Sequence, residues 1–375
     1  MTPKQRMLNA YRGVPTDRPP VAPEFWYYYP AKVLGVDMIE FGKRPFHLAL
    51  KTTFEKFGCE GWGIAGISVP NPAVTTTRAE SWPTPDQVLT RVAHPTPHGE
   101  LTSAGIRDRH EPGWTTERPI KDFARDLPAY EALTLGGDPA NADLTGLVRA
   151  WEEVGESYLL EGYLGVPFFD YFGEAREGGL EQAIFDCLEH EDRLRALQER
   201  YQDWIVRLAR AACAKTKVES YFLGCSWSCN SLIGPAMWRQ WAKPTIQAVG
   251  RELHRHGRLL HVHIHGKCRD SLAEFAELEA DCICPFERPP GGDITDLREV
   301  ARQLAGQVTM NGNVHTVETL IRGTPTDVRR EVREVLDAFA GNPRVIVGTG
   351  DQVGRETPEE NLRALIEEVA ERATP

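Results

Sequence analysis

Short apolar runs alternate along this chain with longer stretches in which apolar positions recur every three or four residues. The short runs are VAPEF (21–25), GWGIAGISV (61–69), SYLLEGYLG (157–165), SYFLGCSWS (220–228), RLLHVHIHG (258–266), DCICPF (281–286), QVTMNGNV (307–314) and RVIVGTGD (344–351). Their near-continuous hydrophobicity predicts strands buried on both faces. Between them, LEQAIFDCLEHEDRLRALQERYQDWIVRLARAAC, GPAMWRQWAKPTIQAVGRELHRHG and TPTDVRREVREVLDAFAG carry the helical period. Strand followed by helix, repeated eight times, implies a parallel sheet and favours a (β/α)8 TIM barrel over an open doubly wound sheet. No GxGxxG or GxxxxGK[ST] fingerprint supports a nucleotide-binding alternative.

The pattern changes from about 71 to 120, where hydrophilic text such as RVAHPTPHGELTSAGIRDR alternates like hairpins. It is read as a β-hairpin insertion between strands 2 and 3 of one domain spanning 1–375, not as a second domain. Apolar residues at 41% and charged residues at 26% describe a globular chain, and a net charge of −11 argues against nucleic acid as a partner. The opening MTPKQRMLNAYRGVPTDRPP lacks the apolar core of a signal peptide, and no run is long enough to span a membrane, so the expected location is cytoplasmic.

Chemistry concentrates in HVHIHGKC, where three of the 11 histidines stand at alternate positions. His261, His263 and His265 therefore share one face of one strand. The run ends at Gly266, which places His263 and His265 at the carboxyl end of the strand, where barrel enzymes assemble their sites. Metal ligation, a metal-free polar or acid/base role, and packing are all open readings; packing requires partners for every buried imidazole nitrogen. Asp351, Glu287, Glu161, and Asn313 with His315 fall at other strand ends and could complete a site. His254 and His256 read as residues of a helix end. The eight cysteines are too scattered for a disulfide framework, and the pairs Cys225/Cys229 and Cys282/Cys284 read either as metal ligands or as small buried residues.

Two blocks carry a family resemblance that covers nearly the whole chain. MTPKQRMLNAYRGVPTDRPPVAPEFW at the start, and NGNVHTVETLIRGTPTDVRREVREVLDAF with GTGDQVGRETPEENLRALIEEV near the end, are similar to the uroporphyrinogen decarboxylase superfamily. The segment TPHGELTSAG…TTERPIKDFARDLPAYEAL resembles the branch of cobalamin-linked methyltransferases and demethylases. In thiol-directed members of that branch zinc is held by a His-x-Cys pair and a later Cys. Carried over, the resemblance places His263 at the first ligand, His265 where a Cys is expected and Asp351 where the second Cys is expected. Two imidazoles and a carboxylate make a harder, more Lewis-acidic centre than two thiolates. Zinc is the first expectation, with iron or manganese compatible with the same donors.

Porphyrin-decarboxylating members carry arginines after the first strand, in a segment containing MRQAGR; here that region reads EFWYYYPAKVLG. Trp26, Tyr27, Tyr28 and Tyr29 form either an aromatic lip or a packed loop, with Phe168 and Phe169 read in the same two ways. The resemblance implies a metal-dependent methyltransferase or demethylase of a small substrate, served by a separate corrinoid protein, and a homodimer. In that scheme Glu287, Glu161 and His315 are the catalytic candidates, and Trp26, Tyr28, Tyr163, Phe168, Trp227 and Asn313 the substrate-binding ones. Decarboxylation or other metal-dependent lyase or oxidase chemistry, and a non-catalytic ligand-binding barrel, are the alternatives.

Overall fold

The computed structural model describes residues 1–304 and 306–372; position 305 and the last three positions of the expected 1–375 domain lie outside the described residues. Strands β1 (Val21–Ala22) and β2 (Trp62–Gly66) are followed by an antiparallel group: β3 (Thr77–Thr84), β4 (Gln87–Thr96), β5 (Gly99–Asp108) and β6 (Trp114–Glu117). Then come β7 (Leu159–Gly165), β8 (Ser220–Cys225), β9 (Leu259–Ile264), β10 (Cys282–Pro285), β11 (Thr309–Val314) and β12 (Val345–Thr349). Eight of them form one sheet in the order β1-β12-β11-β10-β9-β8-β7-β2, and β3 to β6 form a separate four-stranded sheet. The pairings of the eight-stranded sheet are all parallel, as strands linked through helices must be.

Alternation along the strands sorts the side chains. Leu160, Tyr221, Leu223, Leu260, Val262, Ile283 and Val347 pack outward into the large apolar cluster with the helices. Trp62, Leu159, Phe222, Leu259, Cys282, Cys284 and Ile346 form a second, smaller cluster inside the curled sheet. The amino-terminal helix Pro3–Arg12 closes one end of that interior with Met7, Leu8 and Tyr11, and starts with a Thr2/Gln5 capping box. The interior also holds His261, His263, Glu161 and Asn311, so it is more polar than an ordinary barrel core.

No ladder joins β1 to β2 among the described residues. A side chain spans the seam instead. Glu60, two residues before β2, accepts from the Val21 N–H at 2.9 Å and from both Arg18 nitrogens at 2.8 Å, and it also pairs with Arg6. Glu60 is 1% exposed and Arg6 7%. Removing Glu60 leaves Arg18 without its carboxylate and Arg6 with Asp17 alone, so Glu60→Ala is expected to lower stability by about 3 kcal/mol in urea unfolding. A loss below roughly 1 kcal/mol would mean that the seam is held elsewhere.

Several elements differ from the sequence expectation. The first strand is two residues long, not five, and the helix expected over 180–213 divides at His190 into Gly179–Glu189 and Glu191–Lys215. The helix before β9 divides at Ala242, because Pro244 cannot donate within a continuous helix and instead starts a new one.

Candidate metal and substrate site

Four strands deliver their carboxyl ends to one place: β1 leads to Glu24, β9 to His265, β10 to Glu287 and β12 to Asp351. Gly266 ends the β9 run at φ +69°, and a Cβ there would meet Ser231 Oγ at 2.3 Å. Only glycine permits that turn without moving the neighbouring loop. Its N–H donates to Glu287 Oε1 at 3.2 Å, which ties the turn to the end of β10.

His263 Nε2 and His265 Nε2 face each other at 2.7 Å. His265 Nδ1 lies 3.1 Å from Glu287 Oε1 and 3.7 Å from Asp351 Oδ2. His263 Nδ1 lies 3.0 Å from Cys284 Sγ and 3.8 Å from Glu24 Oε2. Donor atoms of His263, His265 and Asp351 fall within 4.8 Å of one another, and so do those of Glu24, His263 and Cys284. Among the described residues neither Cys225, Cys229 nor Cys282 joins such a group.

Electrostatics follow from this crowding. Burial disfavours charge on His265, but the Glu287 hydrogen bond and the charges of Asp351 and Glu24 outweigh it and push it up to about 9. Burial, reinforced by His265 and His261, holds His263 well below the usual histidine range. Burial raises Glu24 well above the carboxylate range, with Asp351 adding to the effect and His265 opposing it. Asp351 is raised for the same first reason.

A cavity of about 390 Å³ is lined by His263, His265 and Asp351 together with Trp26, Tyr27, Ile64, Tyr163 and Phe222. Glu24 and Glu174 also line it, and its described lining contains no lysine or arginine. A second cavity of about 490 Å³ shares Tyr163, Val166 and Glu174 and is walled by residues of β4 and β5, so the antiparallel sheet borders the approach to the site.

The structure thus brings together His263, His265, Asp351, Glu287, Trp26 and Tyr163. It places the remaining candidates elsewhere. Glu161 is fully buried beneath the site, where Ser220 Oγ donates to it at 2.6 Å and His261 Nδ1 lies at 2.9 Å. His315 caps the helix Thr316–Ile321, its Nδ1 accepting from the Val317 and Glu318 N–H groups, and it borders a separate cavity with Glu287 and Asp351. Asn313 donates to Phe286 O at 2.8 Å and is buried. Phe168 is in the helix-layer core against Phe172, Tyr201 and Trp241. Tyr28 turns outward, its hydroxyl donating to Glu111 at 2.6 Å, and Trp227 lies under Arg118. Glu24 was not among the sequence candidates, and Cys284 was one only as a ligand paired with Cys282, not as a neighbour of His263. The strand-end rule applied to β1 would have found Glu24; Cys284 is visible only once the β9/β10 register is known.

The family model for uroporphyrinogen decarboxylase (URO-D) matches residues 138–372. The chain belongs to this family. The matched region contains β7 to β12, hence both histidines, Glu287 and Asp351, and leaves out Glu24 and the antiparallel sheet. Two curated family members named uroporphyrinogen decarboxylase, from Paraburkholderia phytofirmans and Xylella fastidiosa, are each 30% identical to the chain, over 99 and 115 residues. Those matches cover 26% and 30% of this chain and 25% and 30% of the relatives, so they span less than a third of those proteins. A methyltransferase from Methanosarcina mazei shares the family fold, with a TM-score of 0.67 at 17% identity over 99% of both chains. No helix among the described residues is long and apolar enough to cross a membrane.

Proposed function

We propose that this family member is a metal-dependent methyltransferase or demethylase of a small, neutral or apolar substrate, with the methyl group passed to a corrinoid carried by a separate protein. The convergence of His263, His265 and Asp351 at the mouth of the curled sheet carries this reading. The donors suit a divalent ion: two imidazoles presenting Nε2 to one point, a carboxylate beside them, and no thiol in that set of three. Such an ion, when bound, supplies Lewis acidity to the heteroatom bearing the methyl group. Zinc is favoured, and the two-histidine, one-carboxylate composition equally suits iron or manganese.

The chain's own residues do the rest. Trp26, Tyr27, Ile64 and Phe222 give the cavity an apolar wall that orients the substrate and displaces water. Glu24 is the acid the cavity offers: burial raises its carboxyl well above the usual carboxylate range, and its Oε1 is held by the Trp26 indole N–H. Transfer of the methyl group leaves the electron pair of the broken bond on the substrate heteroatom, which takes a proton from Glu24. Glu287 orients His265 through Nδ1.

Decarboxylation of uroporphyrinogen is the second reading, favoured by the curated relatives. Against it stands a cavity lined by Glu24, Glu174 and Asp351 with no lysine or arginine in its described lining, which suits a substrate bearing many carboxylates poorly. The test offers the protein cob(I)alamin with small methylated ethers or amines and follows methylcob(III)alamin by absorbance. Metal-dependent methylcobalamin formation is expected, and in parallel no coproporphyrinogen from uroporphyrinogen. Decarboxylation of uroporphyrinogen, or methyl transfer unaffected by stripping the metal, would overturn the reading.

A further inference from the structure

We infer that Glu161, His261 and Cys284 form a hydrogen-bonded line that fixes the ring proton of His263 on Nδ1 and leaves Nε2 bare toward the mouth. None of the three lines the cavity, so they are positioning residues. The inference rests on the reading of His263 as a ligand.

The line runs down the interior of the sheet. Ser220 Oγ lies 2.6 Å from Glu161 Oε1, and His261 Nδ1 lies 2.9 Å from Oε2. His261 Nε2 is 3.1 Å from Cys284 Sγ, and Cys284 Sγ is 3.0 Å from His263 Nδ1. Strand register makes this possible, since Cys284 pairs directly with His263 across β9 and β10, and Cys282 with His261. Trp62, Phe222 and Tyr11 enclose the His261 ring at 4.6, 5.2 and 5.6 Å, so its in-plane partners are the two ends of the line.

Directions follow from what each group can donate. A carboxylate only accepts, so Glu161 takes the Ser220 hydroxyl hydrogen and the His261 Nδ1–H. That leaves His261 Nε2 as an acceptor, and the hydrogen available to it is the single one on Cys284. With its hydrogen committed, Cys284 Sγ accepts from His263 Nδ1–H. A neutral His263 carries one ring proton, now placed on Nδ1, and its Nε2 lone pair points at His265. Carboxylates and carbonyls commonly orient ligating histidines in this way; here the carboxylate acts at a distance, through a second imidazole and a thiol.

Glu161→Gln tests the direction without changing shape. The glutamine oxygen keeps the Ser220 contact while its NH₂ donates to His261 Nδ1, which reverses each bond and moves the His263 proton to Nε2. The experiment records ¹⁵N shifts of labelled histidine rings in metal-free protein, together with cobalt(II) affinity, for wild type, Glu161→Gln and Cys284→Ser. Wild type is expected to show His263 protonated on Nδ1, and Glu161→Gln on Nε2 with affinity about 10- to 100-fold weaker. Cys284→Ser, whose hydroxyl both donates and accepts, is expected to retain the wild-type proton position, and it serves if Glu161→Gln does not fold. A His263 proton on Nε2 in wild type, or an unchanged ring in Glu161→Gln, would overturn the line, as would a thiolate-to-cobalt band showing Cys284 to be a ligand. Failure of wild type to bind cobalt would instead strike the ligand reading, because the ring shifts are read without metal.

Discussion

His265→Ala is expected to lose the divalent ion while the fold persists. Binding energies of about 10 to 16 kcal/mol for structural zinc, shared among three or four donors, give each roughly 3 kcal/mol, about a hundredfold or more in affinity. His265 is 30% exposed at the end of β9, so its removal leaves no sealed cavity, and far-UV circular dichroism should be unchanged. Glu287 and Asp351 lose a cationic neighbour in the metal-free state, a modest cost at a half-exposed position. His263→Ala should lose the ion equally but also destabilise, because it empties a buried site and strands Cys284. Metal content after dialysis, read beside the urea transition, distinguishes the two; retention of a full equivalent by His265→Ala would remove it from the ligand set.

The second large effect is a change of metal preference. His265→Cys combined with Asp351→Cys replaces an imidazole and a carboxylate with two thiolates around His263. Softer donors favour zinc and cadmium over manganese and iron, so the ratio of zinc to manganese affinity should rise by roughly tenfold or more. Competition between the two ions with a chromophoric chelator measures that ratio. An unchanged ratio would show that these positions do not contact the ion.

Periodicity made the eight-stranded parallel sheet legible, because parallel strands buried on both faces leave continuous apolar runs and their helices leave a clear period. Strand alternation and the carboxyl-end rule both point at His263 and His265, whereas Asp351 was one of several strand-end candidates and only the family resemblance singled it out. What escaped depended on contacts between distant segments. Cys284 becomes part of the site only through its pairing with His263, and a single strand carries no information about register. Glu24 was read inside a five-residue strand, whereas the strand stops at Ala22 and releases Glu24 into the mouth. His315 and Asn313 stand at a strand end as expected, yet a helix begins at once, so the imidazole serves as its cap and the amide satisfies the Phe286 carbonyl. Glu161, chosen as an acid because it was placed at a strand end, is buried three residues into β7 and instead anchors His261.

X-ray absorption at the metal edge of the protein as purified, with metal content measured on the same sample, tests the central claim most directly. One divalent ion per chain is expected, in a shell of nitrogen and oxygen alone that includes two imidazoles. A sulfur scatterer at about 2.3 Å, the zinc–thiolate distance, or an active protein without metal would contradict it.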